Sequence, residues 1–505
     1  MTEMVMPLSG ATTTRDFNWD TINWGRIKAH VKRLQIRIAK AFREGKRNKA
    51  KALQRILTHS FYAKLLAVKR VTQSKGAKTP GIDKIVWRTP KQKIDAALSL
   101  KRRGYKTQPL KRIHIPKKQK GKLRPLSIPA MNCRAQQALY LLALEPISET
   151  IADKNAYGFR PLRSTVDALE QCFLALSKKN SAEYILEGDI HACFDKISHQ
   201  WLVENTPMDT VMLKKWLTAG YIEKGMLYPT LEGTPQGGQI SPALLNVTLS
   251  GLETAVKAAT SKRNDKVNVV VYCDDFIITG ASREILESKV KPVVESFLRE
   301  RGLSLSQEKT KITHINEGFD FLGVNIRKYK GKLIRKPAKD NVKKFLENIR
   351  ETVKTNPTAK TENLIHLLNP KIRGWANYHR YYCSKKTFSY VSLHIFKVLW
   401  RWAIRRHPEK SAKWVRKKYF RTKSYRNWVF SSKVKDKDGN DTYLDLVEIS
   451  KTPIRRHIKI KAEATPYNPG YKEYLADRQE RQKRNNLFVS PRGGWSPWWE
   501  MSTDE

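Results

Sequence analysis

Two acids stand together inside an apolar run. Tyr272-Cys273-Asp274-Asp275 is preceded by Val269-Val270-Val271 and followed by Phe276-Ile277-Ile278. Burying two unpaired carboxylates in a strand is costly, so the pattern predicts a tight hairpin with a cation at its tip. Successive strand residues point to opposite faces, which makes Asp274 the expected firmer ligand and Asp275 the secondary one. A solvated turn with two acids is the plainer alternative. Asp189 ends a second apolar run, YILEGDI (184–190), just before HACFD. Side by side, two strand-borne carboxylate sites suit two Mg²⁺ ions and in-line phosphoryl transfer, one ion activating an attacking 3′ oxygen and the other steadying the leaving group. Asp195 competes with Asp189, but it lies past the expected strand end, where a helix cap or surface charge is the simpler role.

The elements that must position these acids are legible around them. YILEGDI and NVVVYCDDFIITG (268–280) are rich in β-branched residues and predict strands. The loop GTPQGGQISP (233–242) and helical stretches lie between them. RIHIPKKQKGKLRPLSIP (112–129) carries two short apolar runs about a Lys/Gly turn, a hairpin signature. A helix is expected from Asn132 to Thr150. Residues 21–70 predict helix, with Val31, Leu34, Ile38 and Phe42 at spacings of three and four, and Lys69–Asp83 predicts a loop. Residues 327–430 hold 29 Lys+Arg and 5 Asp+Glu among Trp, Tyr and Phe, largely as helix, for example Phe388–His407. NWVFSSKV, an Asp438-Gly439 turn and TYLDLVEI predict a hairpin. Residues 1–20 and the last forty residues are polar, and partial disorder is expected there.

The 505-residue chain carries 97 Lys+Arg against 47 Asp+Glu, a net charge of +50, with 40% hydrophobic residues. It can therefore build cores, and charge spread along its whole length favours a nucleic-acid partner over a membrane surface. No run of 18 apolar residues exists, and the N-terminus lacks a secretory pattern. The five cysteines form no CxxC pair, against a zinc finger or a disulfide framework, so a reducing cytosol is expected. Neither a GxxxxGK[ST] loop nor HExxH is present.

Seven blocks in order, RPLSIP, YGFRP (157–161), EGDIHACFD, GTPQGGQISP, YCDDF, LSQEKTKITH (305–314) and FDFLG (319–323), resemble reverse transcriptases. GTPQGGQISPALLN, YGFRP and WANYHRYY (375–382) resemble, more narrowly, group II intron-encoded reverse transcriptase/maturases, from about residue 24 to about residue 470. Cys273 stands where that family usually has Ala. The resemblance implies an α+β, right-hand polymerase fold: fingers–palm with an antiparallel palm sheet, an α-helical thumb and a small basic C-terminal module. It implies divisions at 1–65 (basic helical extension), 66–326 (fingers and palm), 327–425 (thumb/maturase) and 426–505 (DNA-binding module and tail).

It also implies roles. Asp189, Asp274 and Asp275 would be the metal carboxylates, with the carbonyl of Ile190 as a further ligand. Phe194 falls at the sugar gate, where a ring collides with a ribose 2′-OH; ordinary core is its alternative. Lys117 and Arg124 would contact the triphosphate, and Gln236 the incoming nucleotide or template, with Gly237 and Gly238 allowing close approach. Lys309 would protonate pyrophosphate or form a surface ion pair. Phe321-Leu322-Gly323 would grip the primer end or serve as core. Arg373, Trp375, Tyr378, His379 and Arg380 would stack on or neutralise nucleic acid, with core packing the alternative for Trp375 and Tyr378. The implied function is RNA-templated DNA synthesis by a cytosolic protein with two Mg²⁺ ions, dNTPs, an RNA template and a DNA primer. Binding of the parent intron RNA and of target DNA would assist splicing and mobility. A splicing cofactor without catalysis, or a reverse transcriptase of host defence or diversity generation, are the rivals. Many relatives end in a Cys/His-rich HNH nuclease. After residue 450 this sequence has one histidine, His457, and no cysteine, so an endonuclease-lacking form is expected.

Overall fold

The computed structural model describes residues 18–116, 123–261, 263–436 and 438–486. Helices α1 (Trp24–Arg43), α2 (Arg47–His59) and α3 (Phe61–Gln73) open the chain. The Asn23 side chain caps α1 by accepting from Arg26 N, and Val31, Leu34, Ile38 and Phe42 are all buried, as their spacing predicts. The expected loop starts at Ser74, because α3 runs through Gln73. Next come α4 (Pro90–Ser99), closed by a Thr89/Gln92 capping box, and the antiparallel hairpin of β1 (Leu110–Pro116) and β2 (Leu123–Ile128). Its turn, with Lys117, lies outside the described residues. Helix α5 (Met131–Ile151) is buried nearly all round and is the axis on which α1, α2 and α3 pack.

After α6 (Thr165–Leu176) come β3 (Tyr184–Asp189), a four-residue α7 (Cys193–Lys196), α8 (His199–Asn205), α9 (Thr210–Leu217) and two short strands, β4 (Tyr221–Glu223) and β5 (Met226–Tyr228). Helices α10 (Ser241–Leu249) and α11 (Leu252–Ala258) lead into β6 (Val269–Tyr272) and β7 (Asp275–Gly280). Then α12 (Arg283–Ile285) passes through a π turn into α13 (Lys291–Arg299), followed by β8 (Lys311–His314). The central antiparallel sheet has the order β6-β7-β3-β8. Its period-two alternation serves two cores. Leu186, Ile278, Val269 and Val271 enter the large core shared with α1–α5, whereas Ile185, Ile277 and Val270 face a second core built with α6.

A second small sheet, β9 (Phe319–Phe321), β10 (Val324–Tyr329) and β11 (Lys332–Pro337), joins this second core and leads to the helices α14 (Lys339–Lys354), α15 (Thr361–His379), α16 (Lys385–Arg405) and α17 (Ala412–Tyr419). The expected hairpin is present as β13 (Arg426–Lys435) and β14 (Asp441–Asp445), with β12 (Phe420–Lys423) as third strand. Phe420, Phe430 and Ile449 share one core with α14–α17, so this sheet is part of the helical body rather than a separate module. The divisions expected at 65/66, 326/327 and 425/426 fall inside α3, inside β10 and in the β12–β13 turn, because pairing and packing run across them.

The chain then doubles back. Residues 452–471 and α18 (Lys472–Asn486) lie on the first half of the molecule. Asp167 Oδ1 accepts from His457 Nε2 at 2.8 Å, Ile460 N at 2.9 Å and Arg478 Nη2 at 2.9 Å. Buried Tyr467 donates to Glu145 Oε2 at 2.9 Å. Of the last forty residues, where partial disorder is expected, 466–486 are folded: Tyr467 and Leu475 are buried, Leu475 in the core of α6, while most of α18 beyond Arg478 is exposed. Residues 487–505 lie outside the described ones. Among the described residues no helix is long and apolar enough to cross a membrane. The whole is a right-hand arrangement: a mixed α/β body carrying an antiparallel sheet, followed by a helical thumb.

Candidate active site

Tyr272 and Asp275 form the last β6–β7 pair, leaving Cys273-Asp274 as a two-residue turn. Such turns need positive φ, and Cys273 adopts φ 58° although it is not glycine. Gly158 of the YGFRP segment lies directly beneath it. A Cβ there would stand 2.3 Å from Cys273 N and 2.5 Å from its Sγ, so only glycine admits this approach. The segment is tied down on both sides. Tyr157 N donates to Val271 O at 2.9 Å, and the Arg160 guanidinium donates to both oxygens of buried Glu149 at 2.8 and 3.1 Å.

Asp189 is the direct ladder partner of Asp275, and Ile190 N donates to Asp274 O at 3.4 Å. The register rests on Gly188, whose Cβ would lie 2.1 Å from the Phe276 ring. Burial, then repulsion from Asp274 and Asp189, pushes the Asp275 carboxyl up to about 6. Burial chiefly, with repulsion from Asp189, raises Asp274 as well, while Arg124 and Lys309 oppose the rise. Lys309 Nζ donates to both oxygens of Asp189, at 3.1 and 2.5 Å. That bond is the main reason its ammonium is held above its usual range. The ion-pair alternative for Lys309 is therefore the geometry seen, on an aspartate of the site itself.

Three mutually repelling carboxylates with hard oxygen donors fit Mg²⁺ by donor chemistry. Among the described residues no group of three His, Cys, Asp or Glu side chains is arranged to hold an ion by itself, so ligands from outside the chain would be needed to complete the shell.

The surroundings place the other expected residues. Phe194, on α7, is half-buried against the large core, and its ring meets Phe159 edge-to-face at 6.2 Å. Asp195 Oδ2 accepts from Gln236 Nε2 at 3.0 Å, so it orients the GTPQGG loop rather than joining the acids. Gln236 O accepts from Ser127 N at 2.8 Å, which fixes the loop to β2. Gly237 has φ 114°, and a Cβ there would lie 2.8 Å from Ser127 O. Arg124 is exposed on β2 and acts electrostatically on Asp274. The geometry thus gathers Asp189, Asp274, Asp275, Arg124, Lys309, Phe194 and Gln236 into one neighbourhood.

The FDFLG segment turns between β9 and β10. Phe321 is buried core, while Leu322 (φ 49°) and Gly323 (φ 76°) form the tip. Tyr378 donates to Leu322 O at 2.6 Å. Asn341 stands 2.7 Å from where a Gly323 Cβ would be, and its Oδ1 also accepts from Trp375 Nε1 at 2.8 Å and His379 Nε2 at 3.0 Å. This corrects the reading of His379 and Arg380 as nucleic-acid contacts, while Trp375 and Tyr378 take the packing role that was their alternative. His379 and Arg380 are 0% and 2% exposed, Trp375 stacks on Phe345 at 4.7 Å, and burial drives His379 down to about 3, so it is neutral. Arg373, Trp375 and Tyr378 stay partly exposed. Periodicity alone cannot separate the inner and outer faces of a basic, aromatic helix.

Asn341 and Glu149 were not singled out by sequence, and Gly158 and Phe159, although inside the YGFRP block, were given no role of their own. Only Gly158, a glycine between two aromatics, carried a local signal.

Three family profiles match in chain order: "N-terminal domain of reverse transcriptase" over residues 19–100, "Reverse transcriptase (RNA-dependent DNA polymerase)" over 115–326 and "Group II intron, maturase-specific domain" over 342–420. Protein YkfC of Escherichia coli is 31% identical, across 59% of this chain and 87% of its own length. The group II intron-encoded protein LtrA of Lactococcus lactis is 27% identical, across 62% of this chain and 68% of its own. Among solved structures, a telomerase from Candida albicans aligns with TM-score 0.36 and 12% identity, over 61% of this chain and 64% of that one, a likeness too low to bear on function. The ordered profiles and the two relatives place the chain in the family of group II intron-encoded reverse transcriptase/maturases.

Proposed function

We propose that this protein is an RNA-directed DNA polymerase that also binds its parent group II intron RNA, assisting splicing and mobility. The observation carrying this reading is the coupling of Asp189, Asp274 and Asp275 on adjoining strands beside Arg124 and Lys309. An RNA chaperone has no need for three acids held together against their repulsion.

Asp189, Asp274 and Asp275, with the carbonyl of Ile190, would hold two Mg²⁺ ions, whose charge when bound supplies the Lewis acidity for in-line phosphoryl transfer. Arg124, with Lys117, neutralises the triphosphate. Phe194 excludes a ribose 2′-OH, and Gln236, oriented by Asp195, faces the nucleotide or template. Lys309 leaves Asp189 to donate its proton to pyrophosphate. The Leu322-Gly323 tip supports the primer end. The basic surface of the thumb, with Arg373, and of the β12–β14 sheet serves intron RNA and target DNA. A reducing cytosol suits the free thiols.

Primer extension on an RNA template with dNTPs and Mg²⁺ tests this reading. Template-dependent cDNA that disappears in Asp274→Asn supports it. Intron RNA binding and splicing without any extension would instead make the protein a splicing cofactor.

A further inference from the structure

We propose that Phe159 is a positioning residue for sugar selection, its ring setting the place of the Phe194 ring. This rests on the reading of Phe194 as the sugar gate.

The case begins with a residue in the wrong place for stability. Phe159 is 46% exposed and has φ 54°. Positive φ is a rare conformation for a bulky side chain, whereas glycine adopts it freely. An aromatic that is both water-facing and backbone-strained contributes little to a core, and strain of this kind concentrates where a side chain is used.

The ring is not loose. Its neighbours on both sides are fixed: Gly158 against Cys273, and Arg160 on Glu149, Asp153 O and Ala156 O. The segment that supports the Cys273-Asp274 turn therefore also aims the Phe159 ring. Phe194 needs such a brace. It sits in a helix of four residues, entered through Ala192 at φ 44°, and its ring is only half-buried against the core. The Phe159 ring meets it edge-to-face, at 6.2 Å and 69°, a favourable geometry for an aromatic pair. Because the clash with a 2′-OH is a contact at the limit of van der Waals distance, a gate ring free to tilt loses discrimination while the deoxynucleotide still fits.

The experiment is steady-state single-nucleotide incorporation by the full chain on an RNA template with Mg²⁺. It reads the ratio of kcat/KM for a ribonucleotide to that for its deoxynucleotide. Phe159→Ala and Phe159→Gly are expected to raise the ratio about 2- to 10-fold, the range an aromatic pair supports. The rise should come through a lower ribonucleotide KM, with deoxynucleotide kcat nearly unchanged. Phe159→Tyr should restore the wild-type ratio. The double variant Phe159→Ala/Phe194→Ala should match Phe194→Ala alone, since both act through one ring. Phe159→Gly also relieves the backbone, so its Tm should not fall, which separates this role from a structural one. If Phe194→Ala raises the ratio and neither Phe159 variant does, or if the two effects add fully, the proposal is overturned while the gate stands. If Phe194→Ala leaves the ratio unchanged, gate and brace fall together.

Discussion

Asp189 and Asp275 are direct partners across the β3–β7 ladder, so their side chains leave the sheet on the same face. Asp274 lies one residue before Asp275, in the turn whose tip rests on Gly158. Three acids from two segments 85 residues apart thus meet, and among the described residues the cations acting on them are Lys309, bonded to Asp189, and Arg124, through its field on Asp274. The site holds repulsion that a divalent ion would relieve.

Asp189→Asn and Asp274→Asn are each expected to cut cDNA synthesis by at least about 100-fold. RNA binding should stay near wild type, measured by primer extension and filter binding on one preparation. Asp275→Asn should lose synthesis too, yet make the metal-free protein more stable. The Asp275 carboxyl is raised to about 6 in the folded chain from an ordinary 3.8. Its penalty is therefore full above pH 6, shrinks as pH falls and vanishes below the unfolded value. Asp275 sits among closely packed groups but keeps solvent access at the end of its strand, so screening reduces the gain to about 1 kcal/mol. Thermal melts in chelator should show it at pH 7.5 and no difference at pH 3.5.

Asp167 caps α6 and holds the returning chain through His457, Ile460 and Arg478. Burial alone would raise its carboxyl, but the His457 bond, the Arg478 guanidinium and the Ile460 backbone N–H bring it below its ordinary value. A depressed acid adds stability that is complete above the unfolded value and lost as pH falls through the folded one. Asp167→Asn should cost about 3 kcal/mol at pH 7, a gap that closes below about pH 4. Limited proteolysis should then cut within residues 452–470. Intact protein at wild-type denaturant midpoints would show that the returning segment is not held there.

Asn341 ties α14 to α15 and lies close against the Leu322-Gly323 tip. Asn341→Ala leaves the Trp375 and His379 donors unpaired, at about 1–2 kcal/mol. If the tip supports the primer end, cDNA length per binding event should fall more than initiation does. Product-length distributions under a trap measure this, and equal losses in both would mean general destabilisation only.

A charge of +50 should make RNA binding steeply salt-dependent, each neutralised phosphate adding roughly 0.7–0.9 to the log–log slope. A titration of Kd between low and high KCl reads the slope directly. A value near zero would mean that the basic thumb and sheet are not used.

Much of this molecule was readable from its residues. Asp189 and the Asp274-Asp275 pair declared themselves because carboxylates inside β-branched runs are locally anomalous, and the hairpins at 112–129 and 426–445 followed from turn chemistry and alternation. Family resemblance added the ordered roles of Phe194, Gln236 and Arg124. What the tertiary structure alone decided were the relations between distant segments. Periodicity shows that a helix has faces but not which neighbour covers them, so His379 and Arg380 read as ligands and are buried. Polarity counts predict whether a stretch can fold alone but not whether it completes another core, so the last forty residues read as partly disordered, whereas Tyr467 and Leu475 among them lie against Glu145 and in the α6 core. The support of the Cys273 turn by Gly158, and the pairing of Phe159 with Phe194, depend on packing between segments far apart in sequence. No local pattern records such contacts, because they are set by where the backbone returns.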